Sequence, residues 1–328
     1  MTGVPTVNID RRTFVRIASG ALVAAVAPAA AAGGDAVVLV TADLDGYVAV
    51  VDVARRRVSR RVATLDGPRS IEARGGAGAV VGHATEGAIS LLGGSPLRVR
   101  RVLRGFGQPR YAAIAPDGRH AFVTDSARGE LAVVDLRRGR VVHRLTVGDG
   151  ARHLTLDPAG RTLWIALGST ASTLAVVDVR DAREPRVVRR IQPPFGAHDV
   201  AFSPSGERVW VTAGRSEQVA LYRAAGRRPA QIIAAAAAPQ HVAFGPRAAY
   251  VASGEGRSVT VHGLADGRVL QRARVPLGSY NVARGAGLVV TPSLRSGELT
   301  VLDGRGARRW SVDVAAAAHD ACVLATNR

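Results

Sequence analysis

The sequence predicts an all-β fold: a seven-bladed β-propeller of four-stranded antiparallel blades, whose ring is closed by pairing of the C-terminal and N-terminal strands. Three observations predict this architecture. One type of segment recurs at a nearly constant interval along the chain. Each copy contains four short runs with the residue patterns of β-strands. The chain also begins and ends with complementary parts of a single copy.

The recurring segment consists of two polar residues, an apolar run, and a turn that contains proline and glycine. It is clearest at residues 109–118, 151–160 and 197–206. Seven equivalent positions lie 41, 42, 46, 42, 40 and 39 residues apart: Ser70, Tyr111, His153, Asp199, His241, Asn281 and Asp320. A period of about 40 residues with β-type composition is that of a propeller blade.

The four runs of each copy predict four strands, ordered from the channel axis to the outer edge. An apolar run such as 200–202 is the innermost strand and precedes a turn with proline and glycine. The second run carries a bulky residue followed by valine or isoleucine, as in 210–212, and the third alternates, as in 131–135. The fourth is basic, as in 140–145, which suits an exposed edge strand because charges discourage pairing with other molecules. We expect the bulky second-strand residues in the core between blades: Phe122, Trp164, Trp210 and Tyr250.

The two ends of the chain complete the same predicted blade. The first run, from residue 36, corresponds to a second strand, whereas residues 319–325 correspond to the innermost strand that this copy lacks. The spacing across the two ends is about one blade length. We therefore expect the last strand to pair with the first, which removes open sheet edges.

Several stretches resemble the YVTN-type, surface-layer-like family of seven-bladed propeller repeats. These stretches are residues 122–125, 131–136, 145–148 and 203–206, and the resemblance covers about residues 36–325. Propellers of this kind serve as lactonases, lyases, dehydrogenase subunits and inert binding platforms. The resemblance therefore implies the fold and leaves the function open.

The N-terminal residues predict export. Residues 10–16, Asp-Arg-Arg-Thr-Phe-Val-Arg, resemble the twin-arginine export motif. A mild apolar run at 17–26 is too short for a spanning helix, and a stretch of small residues follows at 28–32. We predict that residues 1–32 are a signal peptide and residues 33–328 are the propeller. The mature chain would be a monomer without a transmembrane segment, located in the periplasm, outside the cell or at the cell wall.

The composition excludes several classes of protein. The formal net charge is +18, and all 44 basic residues are arginines, scattered without a nucleic-acid-binding motif. Two interpretations stay open: ordinary surface residues that reflect codon usage, or a surface that binds an anionic polymer. Cys322 is the only cysteine, which excludes an internal disulfide and covalent haem attachment and predicts a small buried residue. A nucleophile elbow, a phosphate loop and a dinucleotide fingerprint are absent from the sequence.

Polar residues occupy two adjacent positions at the start of each predicted innermost strand, at one mouth of the central channel. The second column is the set of seven equivalent positions named above. The first column, one residue earlier in each blade, is Arg69, Arg110, Arg152, His198, Gln240, Tyr280 and His319. A blade core needs apolar side chains, so polar side chains here predict either a ligand site or residues that hydrate the channel and cap hydrogen bonds between blades. Because successive strand residues point to opposite sides, we expect the two columns not to converge on one atom.

Two sets of candidate site residues follow from these columns. Guanidinium groups bind carboxylates and phosphates through paired hydrogen bonds. The predicted small-ligand residues are Arg69, Arg110, Tyr111, Arg152, Tyr280 and Asn281. Imidazoles and carboxylates supply the donors that zinc and similar ions use. The predicted ligands of a single divalent metal ion are drawn from His153, His198, Asp199, His241, His319 and Asp320. Glu72 is a further candidate base or ligand, and the remaining histidines are predicted on the surface or in loops: His83, His120, His143 and His262.

Three hypotheses for the function stay open at this point. The chain could be a binding or scaffold protein that recognises a small molecule or a protein at the channel mouth. It could instead be a metal-dependent enzyme of the lactonase or lyase type, with a water molecule activated on the ion. A third hypothesis is an arginine-mediated binder of an anionic polymer, with an affinity that falls steeply with salt. The sequence does not decide whether the protein is an enzyme.

Overall fold

The computed structural model describes residues 36–235 and 237–325, which form seven four-stranded antiparallel sheets. A single turn of 3-10 helix, Gly75–Ala77, is the one helical element in this part of the chain. The predicted all-β, seven-bladed propeller is therefore confirmed. The predicted signal peptide lies outside the described residues. Within the described segments, no helix has the length and apolar character needed to span a bilayer.

Twenty-eight strands build the sheets. In chain order they are β1 (Ala36–Ala42), β2 (Tyr47–Asp52), β3 (Arg57–Ala63), β4 (Pro68–Ala73), β5 (Gly78–His83), β6 (Ala88–Gly93), β7 (Arg98–Arg104), β8 (Pro109–Ile114), β9 (His120–Asp125), β10 (Glu130–Asp135), β11 (Arg140–Thr146), β12 (Ala151–Leu156), β13 (Thr162–Leu167), β14 (Leu174–Asp178), β15 (Arg186–Ile191), β16 (Ala197–Phe202), β17 (Arg208–Ala213), β18 (Gln218–Arg223), β19 (Pro229–Ala234), β20 (Val242–Phe244), β21 (Ala248–Ser253), β22 (Ser258–Gly263), β23 (Val269–Arg274), β24 (Ala283–Gly285), β25 (Leu288–Pro292), β26 (Glu298–Asp303), β27 (Arg308–Asp313) and β28 (Ala318–Ala325). Short turns join them. Gly118, between β8 and β9, has a φ of +64°, which glycine adopts without the steric cost of a Cβ.

The C-terminal strand completes the blade that the N-terminal strands begin. In that blade the strand order is β28-β1-β2-β3, whereas each of the other six blades uses four consecutive strands. Strand β28 pairs antiparallel with β1 in a register that places Leu39 opposite Cys322 and Val37 opposite Leu324. This pairing confirms the predicted closure. Both ends of the propeller are thereby held in one sheet, and the inner edge of β1 is not left open to other molecules.

The hydrophobic core lies between neighbouring blades. Trp164 on β13 packs edge-on against Tyr222 on β18 of the next blade, with ring centroids 5.5 Å apart, and both side chains are buried. Phe122, Trp210 and Tyr250 are buried as well, as the sequence pattern predicts. Burial of a side chain of this size contributes roughly 3 kcal/mol to the free energy of folding. The blades are therefore held firmly around the axis.

Arginines on the outermost strands bond to neighbouring blades. Arg101 on β7 donates a hydrogen bond of 2.7 Å to the carbonyl of Arg138. Arg189 on β15 donates to the carbonyl of Ala224 and lies over the ring of Trp164, 5.5 Å from its centroid. Part of the large positive charge therefore stabilises contacts between blades, a role that needs no anionic polymer. Binding of such a polymer stays a prediction.

Two histidines lie in the core. His83 on β5 and His262 on β22 are both 0% exposed, so the prediction of surface or loop positions is wrong for them. Each ring hydrogen-bonds through both nitrogens, to one backbone carbonyl and one hydroxyl. A polar ring can be buried when its donors and acceptors are paired in this way. His120 and His143 are half-buried on β9 and β11.

Candidate functional site

A cavity of about 320 Å³ lies on the axis of the propeller, where the innermost strands of all seven blades meet. The whole second column contributes to its lining: Ser70, Tyr111, His153, Asp199, His241, Asn281 and Asp320. These residues come together because ring closure points the starts of seven equivalent strands toward one mouth. The cavity has the size of a small-molecule site.

Several side chains of the first column are engaged by the protein itself at the rim of this cavity. Arg69 forms an ion pair with Asp43, with 2.7 Å between nitrogen and oxygen. Tyr280 donates a hydrogen bond from its hydroxyl to the carboxylate of Glu255. His319 donates from Nδ1 to the backbone carbonyl of Arg69. These bonds fix the rim and occupy polar groups that a ligand would otherwise contact.

The innermost strands are irregular where the two columns lie. In β16 the register with β17 shifts between Ala197 and Val200, so His198 and Asp199 leave the regular alternation. Similar shifts occur at the starts of β8 and β12. A bulge turns a side chain in a direction that strict alternation excludes. His198 therefore reaches the second column, and the expectation that the columns do not converge is wrong at this blade.

Three imidazole rings meet at the cavity mouth. They belong to His153, His198 and His241, and ligand nitrogens of the three lie within 4.8 Å of one another. The ring centroids are 4.5 Å apart for His153 and His198, 4.8 Å for His153 and His241, and 5.7 Å for His198 and His241. The three residues come from three consecutive blades. Only the closed ring places them together, since they are more than forty residues apart in sequence.

The hydrogen bonds of the three rings leave nitrogen lone pairs free. The Nδ1 of His198 lies 2.8 Å from the backbone oxygen of Ser169, and because that oxygen only accepts, Nδ1 carries the proton and Nε2 keeps a lone pair. The Nδ1 of His241 is 3.4 Å from the carboxylate of Asp199. His153 is 1% exposed, and both its ring nitrogens are buried without a hydrogen-bond partner in the part of the chain that the structure describes.

The electrostatic environment keeps two of the rings uncharged. Burial lowers the pKa of His198 to about 4, and the neighbouring His241 adds to this effect. Burial likewise lowers the pKa of His153 well below its usual range, with further contributions from His198 and His241. Both rings are therefore neutral at pH 7. A neutral imidazole coordinates a metal ion without first losing a proton.

Asp199 and Tyr111 surround His241. Asp199 is buried, and besides its contact with Nδ1 of His241 it accepts a hydrogen bond from the backbone N–H of Val242. A carboxylate behind an imidazole fixes the ring and raises its basicity toward a metal ion. The hydroxyl of Tyr111 lies 3.5 Å from Nε2 of His241. Burial, followed by the charge of Asp320, raises the pKa of Tyr111, so this hydroxyl is a neutral hydrogen-bonding group.

Two of the six predicted metal ligands are separate from the three rings. His319 uses Nδ1 for the carbonyl at the rim described above, and Asp320 accepts hydrogen bonds from the backbone N–H groups of Ile71 and Ala321. Of the six, the structure thus brings together three histidines, places Asp199 behind one of them, and gives His319 and Asp320 other partners. The group of possible metal ligands within the described residues contains only the three histidines.

Farther along the axis, the cavity is lined by buried acidic groups whose pKa values are raised. Glu72 on β4 is two residues beyond Ser70, and burial followed by the charge of Asp320 raises the pKa of Glu72 to about 8. Burial also raises the pKa of Asp320 to about 6. Cys322 lines the same space and is buried, and burial raises the pKa of its thiol. At neutral pH, Glu72 is therefore mostly a neutral acid.

Sequence reasoning did not identify two contributors to this site. The backbone oxygen of Ser169 orients His198, and Arg284 lines the cavity. A backbone carbonyl in a loop gives no signal in a sequence. Arg284 could have been found from its place in the repeat, since it lies three residues after Asn281 in the same innermost segment.

Comparison with known proteins establishes the fold alone. No protein family matches the chain, and no curated protein matches it. A protein of unknown function from Desulfotomaculum acetoxidans is similar in structure, with a TM-score of 0.78 and 12% identity over 89% of this chain and 99% of that chain. Hydrazine synthase from Kuenenia stuttgartiensis is similar with a TM-score of 0.67 and 18% identity over 79% of this chain and 90% of that chain. At these identities the chain shares a propeller fold with both proteins.

Proposed function

We propose that this propeller binds one divalent transition-metal ion through His153, His198 and His241, and that a small ligand binds to the ion in the axial cavity. One observation carries the proposal: among the described residues, both ring nitrogens of buried His153 have no hydrogen-bond partner. A buried polar group without a partner costs about 1–3 kcal/mol. A metal ion shared with the two neighbouring rings would satisfy one of these nitrogens.

The chemistry of the donors favours one group of metals. Three neutral imidazoles suit zinc, copper, nickel and iron, whereas magnesium and calcium prefer oxygen ligands. Three protein ligands also leave a coordination position for a ligand from solution, as in catalytic zinc sites. Asp199 would act behind His241 as an outer partner. We also propose that the protein is exported, because residues 10–16 resemble a twin-arginine motif.

A second candidate function is catalysis of the lactonase or lyase type at the same ion. The observation that favours it is a proton-carrying group on the same cavity: the pKa of Glu72 is raised to about 8. An acid of this kind is matched to proton transfer near neutral pH. An ion with an open position would polarise a bound water or carbonyl oxygen. The binding function does not require this acid.

The test is metal analysis of the protein purified without chelators, followed by titration of the stripped protein with Zn²⁺ and Co²⁺. We expect one ion per chain. His153→Ala and His241→Ala should each weaken binding more than about 100-fold, beyond the 10- to 100-fold that loss of an outer partner costs. His143→Ala, on outer strand β11, is the matched control and should bind the ion like the wild type.

Two results would contradict the proposal. One is a wild-type protein that takes up no stoichiometric Zn²⁺ or Co²⁺ even after re-addition. The other is an equal loss of affinity in His143→Ala and in the two cavity variants. If His153→Ala does not fold, His198→Ala removes a different donor and answers the same question. Thermal unfolding with and without the ion provides a second measurement, because an ion that binds only the folded chain raises Tm.

A further inference from the structure

Two arginines of the first column stand directly beside the three histidines. Arg110 precedes Tyr111 on β8, and Arg152 precedes His153 on β12 of the next blade. The rings of Tyr111 and His153 are 4.4 Å apart, so the two strands bring their first-column residues to the same part of the rim. Both arginines are half-buried. The charges of both arginines contribute to the lowered pKa of His153, so the two guanidinium groups lie near the proposed metal site.

These guanidinium groups lack the partners that arginines elsewhere in the propeller have. Arg69, the third arginine of the rim, is paired with Asp43 at 2.7 Å. Within residues 36–235 and 237–325, neither Arg110 nor Arg152 forms an ion pair, and the Nε of Arg152 is buried without a hydrogen-bond partner. A buried guanidinium is normally paired with a carboxylate or with carbonyl oxygens. The two arginines are thus an uncompensated pair of positive charges.

The nearby carboxylates are committed to other groups. Asp43 is held by Arg69, Asp199 by His241 and the N–H of Val242, and Asp320 by two backbone N–H groups. Burial lowers the pKa of Arg110 to about 10, and repulsion by the charge of Arg152 is the second cause. At neutral pH both groups still carry their positive charge. The protein therefore supplies cations at this rim without supplying the anion.

We infer that Arg110 and Arg152 form a subsite for a small anion, and that the ligand of the axial cavity is a carboxylate or a similar oxyanion. A guanidinium presents two parallel N–H donors that match the two oxygens of a carboxylate. The part of this inference that joins the anion to a metal ion rests on the proposed function. The part that joins the anion to the two arginines rests only on their geometry and missing partners.

The decisive experiment measures binding of malonate to the metal-free protein by calorimetry at physiological salt. Arg110→Gln and Arg152→Gln should each weaken malonate about tenfold, since a hydrogen bond to a charged group is worth that much or more. Arg110→Lys keeps the charge and should still weaken binding, because a lysine lacks the paired donors. Arg98→Gln is the matched control: it removes the same charge from the exposed outer strand β7, away from the rim, so we expect less than about a twofold change.

A second measurement joins the subsite to the ion. In the Co²⁺-loaded protein, acetate should shift the visible absorption of the ion, and the double variant Arg110→Gln/Arg152→Gln should need at least tenfold more acetate for the same shift. The melting temperature of each variant, measured without anion, shows whether it is folded.

The outcomes separate this inference from the proposed function. If the protein binds Co²⁺ but malonate binds no more weakly to Arg110→Gln and Arg152→Gln than to Arg98→Gln, the inference is overturned and the metal site stands. If no metal binds and malonate still depends on Arg110 and Arg152, the anion subsite is supported and the proposed function is overturned. If malonate does not bind the wild type at millimolar concentration, the subsite does not exist.

Discussion

Replacing Glu72 by glutamine should remove a pH dependence of folding stability that the wild-type protein has. Glu72 lies on the innermost strand β4 and faces the axial cavity. Burial, with the charge of Asp320 as the second cause, raises the pKa of Glu72 from 4.5 to about 8. The folded protein therefore holds this proton more tightly than the unfolded chain does. The contribution of Glu72 to the free energy of unfolding is therefore greatest below pH 4.5, and it falls as the pH rises toward 8.

The size of the fall follows from the pKa values. Each pKa unit corresponds to 1.36 kcal/mol, so the full rise from 4.5 to about 8 is worth at most about 5 kcal/mol. The comparison of the wild type with Glu72→Gln between pH 6.5 and 9 isolates Glu72. Buried histidines with a lowered pKa, such as His83 and His262, change the stability in the opposite direction, but they do so equally in both proteins. Across this interval we expect the wild-type protein to lose about 2 kcal/mol more than Glu72→Gln, whose side chain stays neutral.

The assay is urea unfolding followed by tryptophan fluorescence at pH 6.5 and pH 9 and at constant ionic strength. Trp164 and Trp210 are fully buried and report on the core between blades. Linear extrapolation gives the free energy of unfolding at each pH. Glu217→Gln is the control, because Glu217 is exposed and has no such environment. A change in the free energy of unfolding between the two pH values that is the same in the wild type and in Glu72→Gln would refute the argument.

Two further predictions concern the support of the site and the closure of a blade. Asp199→Asn should weaken Co²⁺ binding about 10- to 100-fold, because the amide no longer provides the negative charge that orients and polarises His241; an unchanged affinity in the Co²⁺ titration would show that the two residues are not coupled. Gly297→Ala should destabilise the fold by roughly 2–4 kcal/mol, because its φ is +68° and a Cβ there would lie 1.7 Å from the carbonyl oxygen of Ala315. Gly118→Ala is the control for backbone strain alone, since its φ is +64° and nothing lies within 4 Å of the added atom; equal losses in urea unfolding would contradict the steric reason.

Much of the fold could be predicted because its information is local. The interval between copies counts the blades, the alternation within each run assigns the strands, and the incomplete copies at the two ends predict that β28 pairs with β1. Each of these features depends on residues close together in sequence or on simple periodicity. The aromatic core could also be predicted, since Phe122, Trp164 and Trp210 occupy the same position in successive copies. The predicted surface or loop positions of His83 and His262 are wrong because their burial depends on hydrogen-bond partners that no periodic pattern reveals.

The candidate site could be predicted only in part. Equivalent positions in a ring must face one axis, so the sequence alone indicated that His153, Asp199 and His241 would surround a common cavity. His198 was among the predicted metal ligands, but the alternation of side chains argued against its meeting the second column, and a bulge at the start of β16 overrides that alternation. Bulges depend on the pairing of two strands and leave little trace in either strand by itself.

The amino-acid sequence by itself determined the number of blades, the joining of the two ends and the ring of polar residues at the channel mouth. The tertiary structure decided which of those residues act together. It separated Arg69, which has Asp43 as a partner, from Arg110 and Arg152, which have no carboxylate partner within residues 36–235 and 237–325. The physical reason is that strand pattern and period are properties of neighbouring residues, whereas charge compensation and metal-ligand geometry depend on atoms that come close only after the chain has closed into a ring.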